Sequence, residues 1–129
     1  ALPMVDILIG SEEFSRDMFP GGGAFADHVR SILRLGPSTV IFTFGSRGCR
    51  GYADGAFFEV PAFQKNIRVV DTVGAGDTFD AGFLFGYLND LGIQRSGEIA
   101  TFCSAGNVGR LGGVDGQPTL REVVERFEL

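Results

Sequence analysis

Residues 71–79 read Asp-Thr-Val-Gly-Ala-Gly-Asp-Thr-Phe, and this is the stretch whose residue types could do chemistry. Gly74, Ala75 and Gly76 stand where a loop turns into a helix. Small residues there let backbone N–H groups approach a ligand closely, and a helix start adds unpaired donors and partial positive charge. Together these make a cradle for an anion. Asp77 falls on the first turn of the same helix. A carboxylate beside an anion cradle repels the ligand that the amides attract, so its place there calls for a chemical role. The plainer alternative is a glycine turn before a helix, with Asp77 serving only the helix N-terminus.

The elements around this stretch follow from local pattern. Val5-Asp6-Ile7-Leu8-Ile9 reads as a short buried strand. Gly10 and Ser11 end it, and Ser11 can cap a helix over 12–18 whose early Glu12 and Glu13 suit the N-terminal dipole. Pro20 and Gly21 to Gly23 break that helix. Helical spacing resumes over 24–35 through Phe25, Val29, Ile32 and Leu33, until Gly36-Pro37 stops it. The polar face of that helix, including the only histidine, His28, reads as solvated.

Residues 39–44 are β-branched and aromatic, a clear strand, and run into a second glycine loop, Gly45-Ser46-Arg47-Gly48. Residues 49–53 and 56–60 flank Asp54-Gly55, a two-residue hairpin signal. Residues 61–66 are a connection and 67–70 a short strand. A long, mostly interior helix is expected from Gly76 to Leu91, with Phe79, Phe83, Tyr87 and Leu91 recurring every fourth residue and Leu84 and Leu88 widening the stripe. Its small residues Ala81, Gly82 and Gly86 point to tight packing against other backbone. Another helix is expected over 98–108, then a loop over 109–117. A final helix begins at Pro118-Thr119, with Leu120, Val123, Val124 and Phe127 facing inward. The strand–helix–strand order gives an α/β chain, with helices covering a sheet. In such folds ligands bind beyond the carboxyl ends of strands, which puts both glycine loops on one rim.

Composition bounds the function. The 129 residues suit a single domain, 1–129, and carry 44% hydrophobic and 21% charged residues, with thirteen Phe and no Trp. Twenty glycines signal many tight turns or close backbone approaches. A net charge of −5 and a single lysine, Lys65, speak against nucleic-acid binding. Cys49 and Cys103 form no CxxC pair and read as free core thiols of a reducing compartment. No stretch reaches the roughly 18 apolar residues of a membrane helix, and no signal peptide opens the chain. The natural start is expected upstream of Ala1.

The common nucleotide fingerprints fail. GxxxxGK[ST] is absent, and Lys65 follows no glycine loop. Gly74 and Gly76 give GxG, but the third glycine position of the dinucleotide fingerprint holds Phe79. His28 has no partner pattern for a Ser-His-Asp hydrolase, and no His/Cys/Asp cluster has transition-metal spacing. Phosphoryl transfer remains. It needs backbone donors for charge on the transferring group and a base for the acceptor hydroxyl. Gly74, Ala75, Gly76 and Asp77 could supply both within four residues.

The run Asp-Thr-Val-Gly-Ala-Gly-Asp-Thr-Phe-Asp-Ala-Gly-Phe over 71–83 resembles the C-terminal signature of the ribokinase-like (PfkB) carbohydrate kinases. Other pieces fall in the family's order. Residues 5–14 resemble a strand ending in an Asn-Glu-Glu-Glu-type motif, 40–48 a strand with a Thr-Leu-Gly-x-x-Gly loop, and 112–123 a closing Gly-Gly…Pro-Thr…Glu-Val segment. The resemblance implies a ribokinase-like three-layer αβα sandwich, of which this chain is the C-terminal, nucleotide-binding portion. It implies ATP-dependent phosphorylation of a sugar hydroxyl in the cytoplasm, with ATP, Mg²⁺ and K⁺ as cofactors and a homodimer as a possible state of the complete protein. Asp77 matches the catalytic base, and Gly74, Ala75 and Gly76 match the anion hole. Thr43, Phe44, Gly45, Ser46, Arg47 and Gly48 match the loop lining the ATP site. Asp71 and the backbone of Val73 match ligands of the monovalent cation. Cys103 falls near residues flanking the adenine, with a plain core thiol as the alternative.

The chain departs from the family pattern in two ways. Ser11 and Phe14 stand where the acidic motif has Asn and its last Glu, which help organise phosphate and magnesium through water; Glu12 and Glu13 lie between. A similar serine start, and residues 106–116, resemble the ketohexokinase-like branch and lean the acceptor toward a ketose. The family's N-terminal half, with most sugar-binding residues and the lid, is missing, so a sheet edge is left to be paired or covered. Three functions are distinguished on this basis: a half of a sugar kinase active with the rest of the protein, a nucleotide-binding module without turnover, and a structural remnant.

Overall fold

The computed structural model describes residues 2–63, 74–108 and 117–129. The expected strand over 67–70, Asp71, Val73 and most of the loop over 109–117 lie outside the described residues. The chain divides into two compact units, Ala1–Glu59 and Val60–Leu129.

The first unit opens with a 3-10 turn, Leu2–Met4, followed by β1 (Ile7–Ser11), α1 (Glu12–Met18), α2 (Phe25–Leu33), β2 (Thr39–Thr43), β3 (Cys49–Ala53) and β4 (Ala56–Val60, whose last residue opens the second unit). The sheet order is β1-β2-β3-β4. β1 and β2 are parallel, with Ile7 opposite Thr39 and Ser11 opposite Thr43, whereas β2 and β3 are antiparallel. Parallel pairing requires a crossover, and α1 and α2 supply it. The Asp54-Gly55 turn takes positive φ at both residues, 50° and 81°, as a tight hairpin of this hand demands.

β2 is buried along nearly its whole length, as an interior strand should be. Its Val40 and Phe42 pack with Val29 and Ile32 of α2, and Leu8, Met18, Phe19 and Phe25 are among the side chains packed against them. Each such fully buried side chain contributes about 1.5–3 kcal/mol relative to exposure. The helix expected over 24–35 is shorter because Gly36 leaves it at φ 140°, where a Cβ would meet the Leu2 carbonyl and Pro3. His28 is more than a solvated residue: its ring stacks on Phe19 at 4.2 Å, and Nε2 lies 3.0 Å from the Gly22 carbonyl.

The second unit contains α3 (Ala75–Leu88), α4 (Ile93–Val108) and α5 (Leu120–Phe127). α3 and α4 are packed closely through glycine. A Cβ on Gly82 would stand 2.9 Å from the Ala100 Cα, and one on Gly86 would stand 2.7 Å from the Ser96 Cα. This face corrects the expected stripe of α3. Thr78, Phe79, Gly82, Phe83 and Gly86 are buried, whereas Leu84 and Tyr87 are exposed and Leu88 is 75% exposed. Contact through small residues rotates the buried side of the helix toward its glycines and away from Leu84 and Leu88. α4 also begins five residues earlier than expected; its Ser96 hydroxyl donates to the Gly92 carbonyl at 2.6 Å. Its core face, Ile99 and Cys103, meets Val123 of α5, with Phe102 and Phe127 around them. Leu120, expected inward, is 63% exposed in the first turn of α5. Thr119 and Glu122 cap that turn reciprocally: the Glu122 N–H donates to Thr119 Oγ1 (3.2 Å) and the Thr119 N–H to the Glu122 carboxylate (2.6 Å).

Candidate functional site

The anion cradle expected at Gly74, Ala75 and Gly76 falls at the start of α3. Gly74 precedes it in the left-handed region, φ 77° and ψ 0°, and no side chain caps the helix. Glycine adopts this conformation without strain, and the first N–H groups of a helix have no intrahelical acceptor. The Thr78 N–H and hydroxyl both donate to the Gly74 carbonyl, at 3.0 and 2.9 Å, and fix the turn from inside. Gln117 Nε2 reaches Thr78 Oγ1 at 3.3 Å and ties the start of the last segment to the same turn. Thr78 and Gln117 are supports that the sequence reading missed. The only signal was a threonine directly after the carboxylate, and nothing in the sequence pointed to Gln117.

The space beside Gly76 is open: nothing lies within 4 Å of where its Cβ would be. Gly76 and Asp77 are exposed on the first turn of α3, and Thr78 and Phe79 are buried beneath them. Asp80 follows Asp77 one turn on. Burial holds its carboxyl above the ordinary value of 3.8, and the negative charge of Asp77 adds to this. Cys103 is buried against Gly82, with its thiol pushed up to about 11 by that burial. Cys49 is likewise buried and forms no disulfide.

In the first unit, Phe44 to Gly48 form a compact loop around a 3-10 turn, Gly45–Arg47. The Phe44 N–H donates to the Gly48 carbonyl (2.8 Å), the Arg47 N–H to Phe44 (3.1 Å) and the Gly48 N–H to Gly45 (3.1 Å). Gly45 and Gly48 take positive φ, 57° and 86°, so both glycines are required by the backbone. Ser11 caps α1 as expected, accepting from the Phe14 N–H at 3.1 Å. Glu12 then turns toward the glycine loop, where Arg47 Nη2 donates to its Oε2 at 2.8 Å.

A nucleotide fits the open, uncapped start of α3. Magnesium held through the acidic motif does not fit. Glu12 is already engaged by Arg47, and Phe14, which carries no oxygen donor, packs near Phe42 at 6.4 Å between ring centroids. No helix among the described residues is long and apolar enough to cross a membrane.

The pfkB family carbohydrate kinase pattern matches residues 1–120. The ribokinase of Lactococcus lactis is 31% identical over 127 residues, covering 98% of this chain and 40% of that protein. An Escherichia coli ribokinase-II-type structure with ATP and Mg²⁺ superposes with a TM-score of 0.85 at 25% identity, covering 98% of this chain and 40% of its own. The nucleoside kinase of Methanocaldococcus jannaschii, a ribokinase-family structure, gives 0.80 at 27% identity, covering 98% and 41%. The chain belongs to the PfkB carbohydrate kinase family and has its ribokinase-like α/β fold. It spans about 40% of the length of the lactococcal ribokinase.

Proposed function

We propose that this chain is the nucleotide-binding and catalytic-base portion of an ATP-dependent kinase that phosphorylates a hydroxyl of a ketohexose or related sugar. The observation that carries the reading is the start of α3, where an uncapped helix with Gly74 in the left-handed region has Asp77 exposed on its first turn. Gly74, Ala75 and Gly76 form the anion hole, with backbone N–H groups directed at charge that grows on the transferring phosphoryl group. The Asp77 carboxylate takes the proton of the acceptor hydroxyl as its oxygen bonds to phosphorus. ATP supplies the phosphoryl group. Thr43, Phe44, Gly45, Ser46, Arg47 and Gly48 line its site, and Cys103 falls near the residues flanking the adenine. Asp71 and the backbone of Val73 are assigned to the monovalent cation, potassium. No step is assigned to magnesium held by the acidic motif.

A second reading is supported by the chain's 40% span of the lactococcal relative. By itself, the 129-residue chain binds nucleotide without turnover. Two measurements test the pair. The full-length gene product is assayed for ATP-dependent phosphorylation across ketohexoses, ribose and nucleosides; turnover on a ketohexose is expected, and turnover on nucleosides alone would move the acceptor class. Calorimetry with ATP on the 129-residue chain is expected to give binding heat, and no heat at millimolar ATP would count against the second reading.

A further inference from the structure

Arg47 is placed more deliberately than a surface arginine needs to be. Its guanidinium stands 5.4 Å from the centre of the Phe44 ring and donates to Glu12 from the first turn of α1, thirty-five residues earlier. The pair is open to water, with the Arg47 side chain 66% exposed and that of Glu12 40%. Exposed pairs of this kind add little to stability, so its geometric effect is the more telling one. Stacking and the carboxylate together restrict a long side chain that would otherwise sample many rotamers. The Glu12 bond engages one of five guanidinium donors. Arg50 also reaches this ring, 6.0 Å from its centre, but it sits closer to Phe25, at 4.4 Å, and pairs with Glu59 at 4.0 Å, which leaves Arg47 as the arginine of the loop itself.

We propose that Arg47 is a phosphate-binding residue of the nucleotide loop and that Glu12 is its positioning residue rather than a holder of metal-bound water. The proposal rests on the nucleotide reading of the loop over 43–48. A polyphosphate needs positive charge around it, and an arginine fork matches phosphate oxygens well. With Ser11 and Phe14 beside it and its carboxylate on Arg47, Glu12 contributes to that charge balance through the arginine.

The test is calorimetry of ATP, without magnesium and with it, on the full-length gene product and its R47A, R47K, E12Q and E12Q/R47A variants. R47A is expected to weaken ATP about tenfold in both conditions, as loss of a charge-assisted phosphate contact should. R47K is expected to recover part of that loss. E12Q is expected to weaken ATP less than R47A does and to add nothing in the double variant. In turnover the KM for ATP rises, with kcat and the sugar KM little changed. Unchanged ATP affinity in R47A overturns the proposal. An E12Q effect that persists in the R47A background, or that appears only with magnesium, assigns Glu12 to the metal and also overturns it. The kinase reading fails differently: the unaltered protein would bind no ATP, or would keep its kcat on loss of the Asp77 carboxylate.

Discussion

Asp80 stands one turn beyond Asp77 on α3, and its carboxyl is held above the ordinary 3.8, first by burial and then by the Asp77 charge. A carboxyl with a raised folded-state value binds its proton more tightly in the folded chain than in the unfolded one. Its stabilising effect is therefore complete at pH below 3.8 and is lost as pH rises through the raised value. At neutral pH the ionised group opposes folding. Asp80→Asn is expected to raise the melting temperature at pH 7 and to lose that advantage near pH 3. Equal effects at both pH values would show that the carboxyl is not perturbed.

The glycines of α3 call for opposite outcomes. Gly86→Ala would put a methyl 2.7 Å from the Ser96 Cα, a backbone atom that cannot step aside. A loss of about 1–3 kcal/mol in urea unfolding is expected, typical of overpacking. Gly76→Ala meets nothing within 4 Å and gains helix propensity, so stability should hold or rise slightly. Its methyl would stand in the anion cradle, and kcat is expected to fall about tenfold or more. A Gly76→Ala variant that is both stable and fully active would remove this glycine from the site.

The cap of α5 gives a prediction independent of function. Thr119→Ala removes the oxygen that accepts from the Glu122 N–H and should cost about 1 kcal/mol, with Thr119→Ser recovering most of it. Thermal or denaturant unfolding measures this directly. No loss would mean that the capping box contributes nothing to the stability of α5.

These cases also mark where the sequence was legible. Ser11 before Glu12, Asp54-Gly55 between two strands and Thr119 before α5 act through neighbours in sequence, and the structure has each as expected. The signature around Asp77 was readable because it is one contiguous run of residues, 71–83. The outward turn of Leu84, Leu88 and Leu120 was not, because which face of a helix is buried depends on what packs against it. Gly82 and Gly86 hinted at close contact, but hydrophobic periodicity outweighed them. The early start of α4 was hidden because the Ser96 hydroxyl bonds back to Gly92 from inside the helix. Arg47 and Glu12, thirty-five residues apart, were each noticed for a separate reason; only the fold pairs them.

The Asp77 carboxylate is the centre of the proposed chemistry, and Asp77→Asn in the full-length gene product tests it most directly, since it removes the base with almost no change of shape. The measurement is kcat for ATP-dependent sugar phosphorylation together with the affinity for ATP. The account predicts a fall in kcat of about a hundredfold or more, with ATP binding retained. A variant that keeps most of its kcat would contradict it.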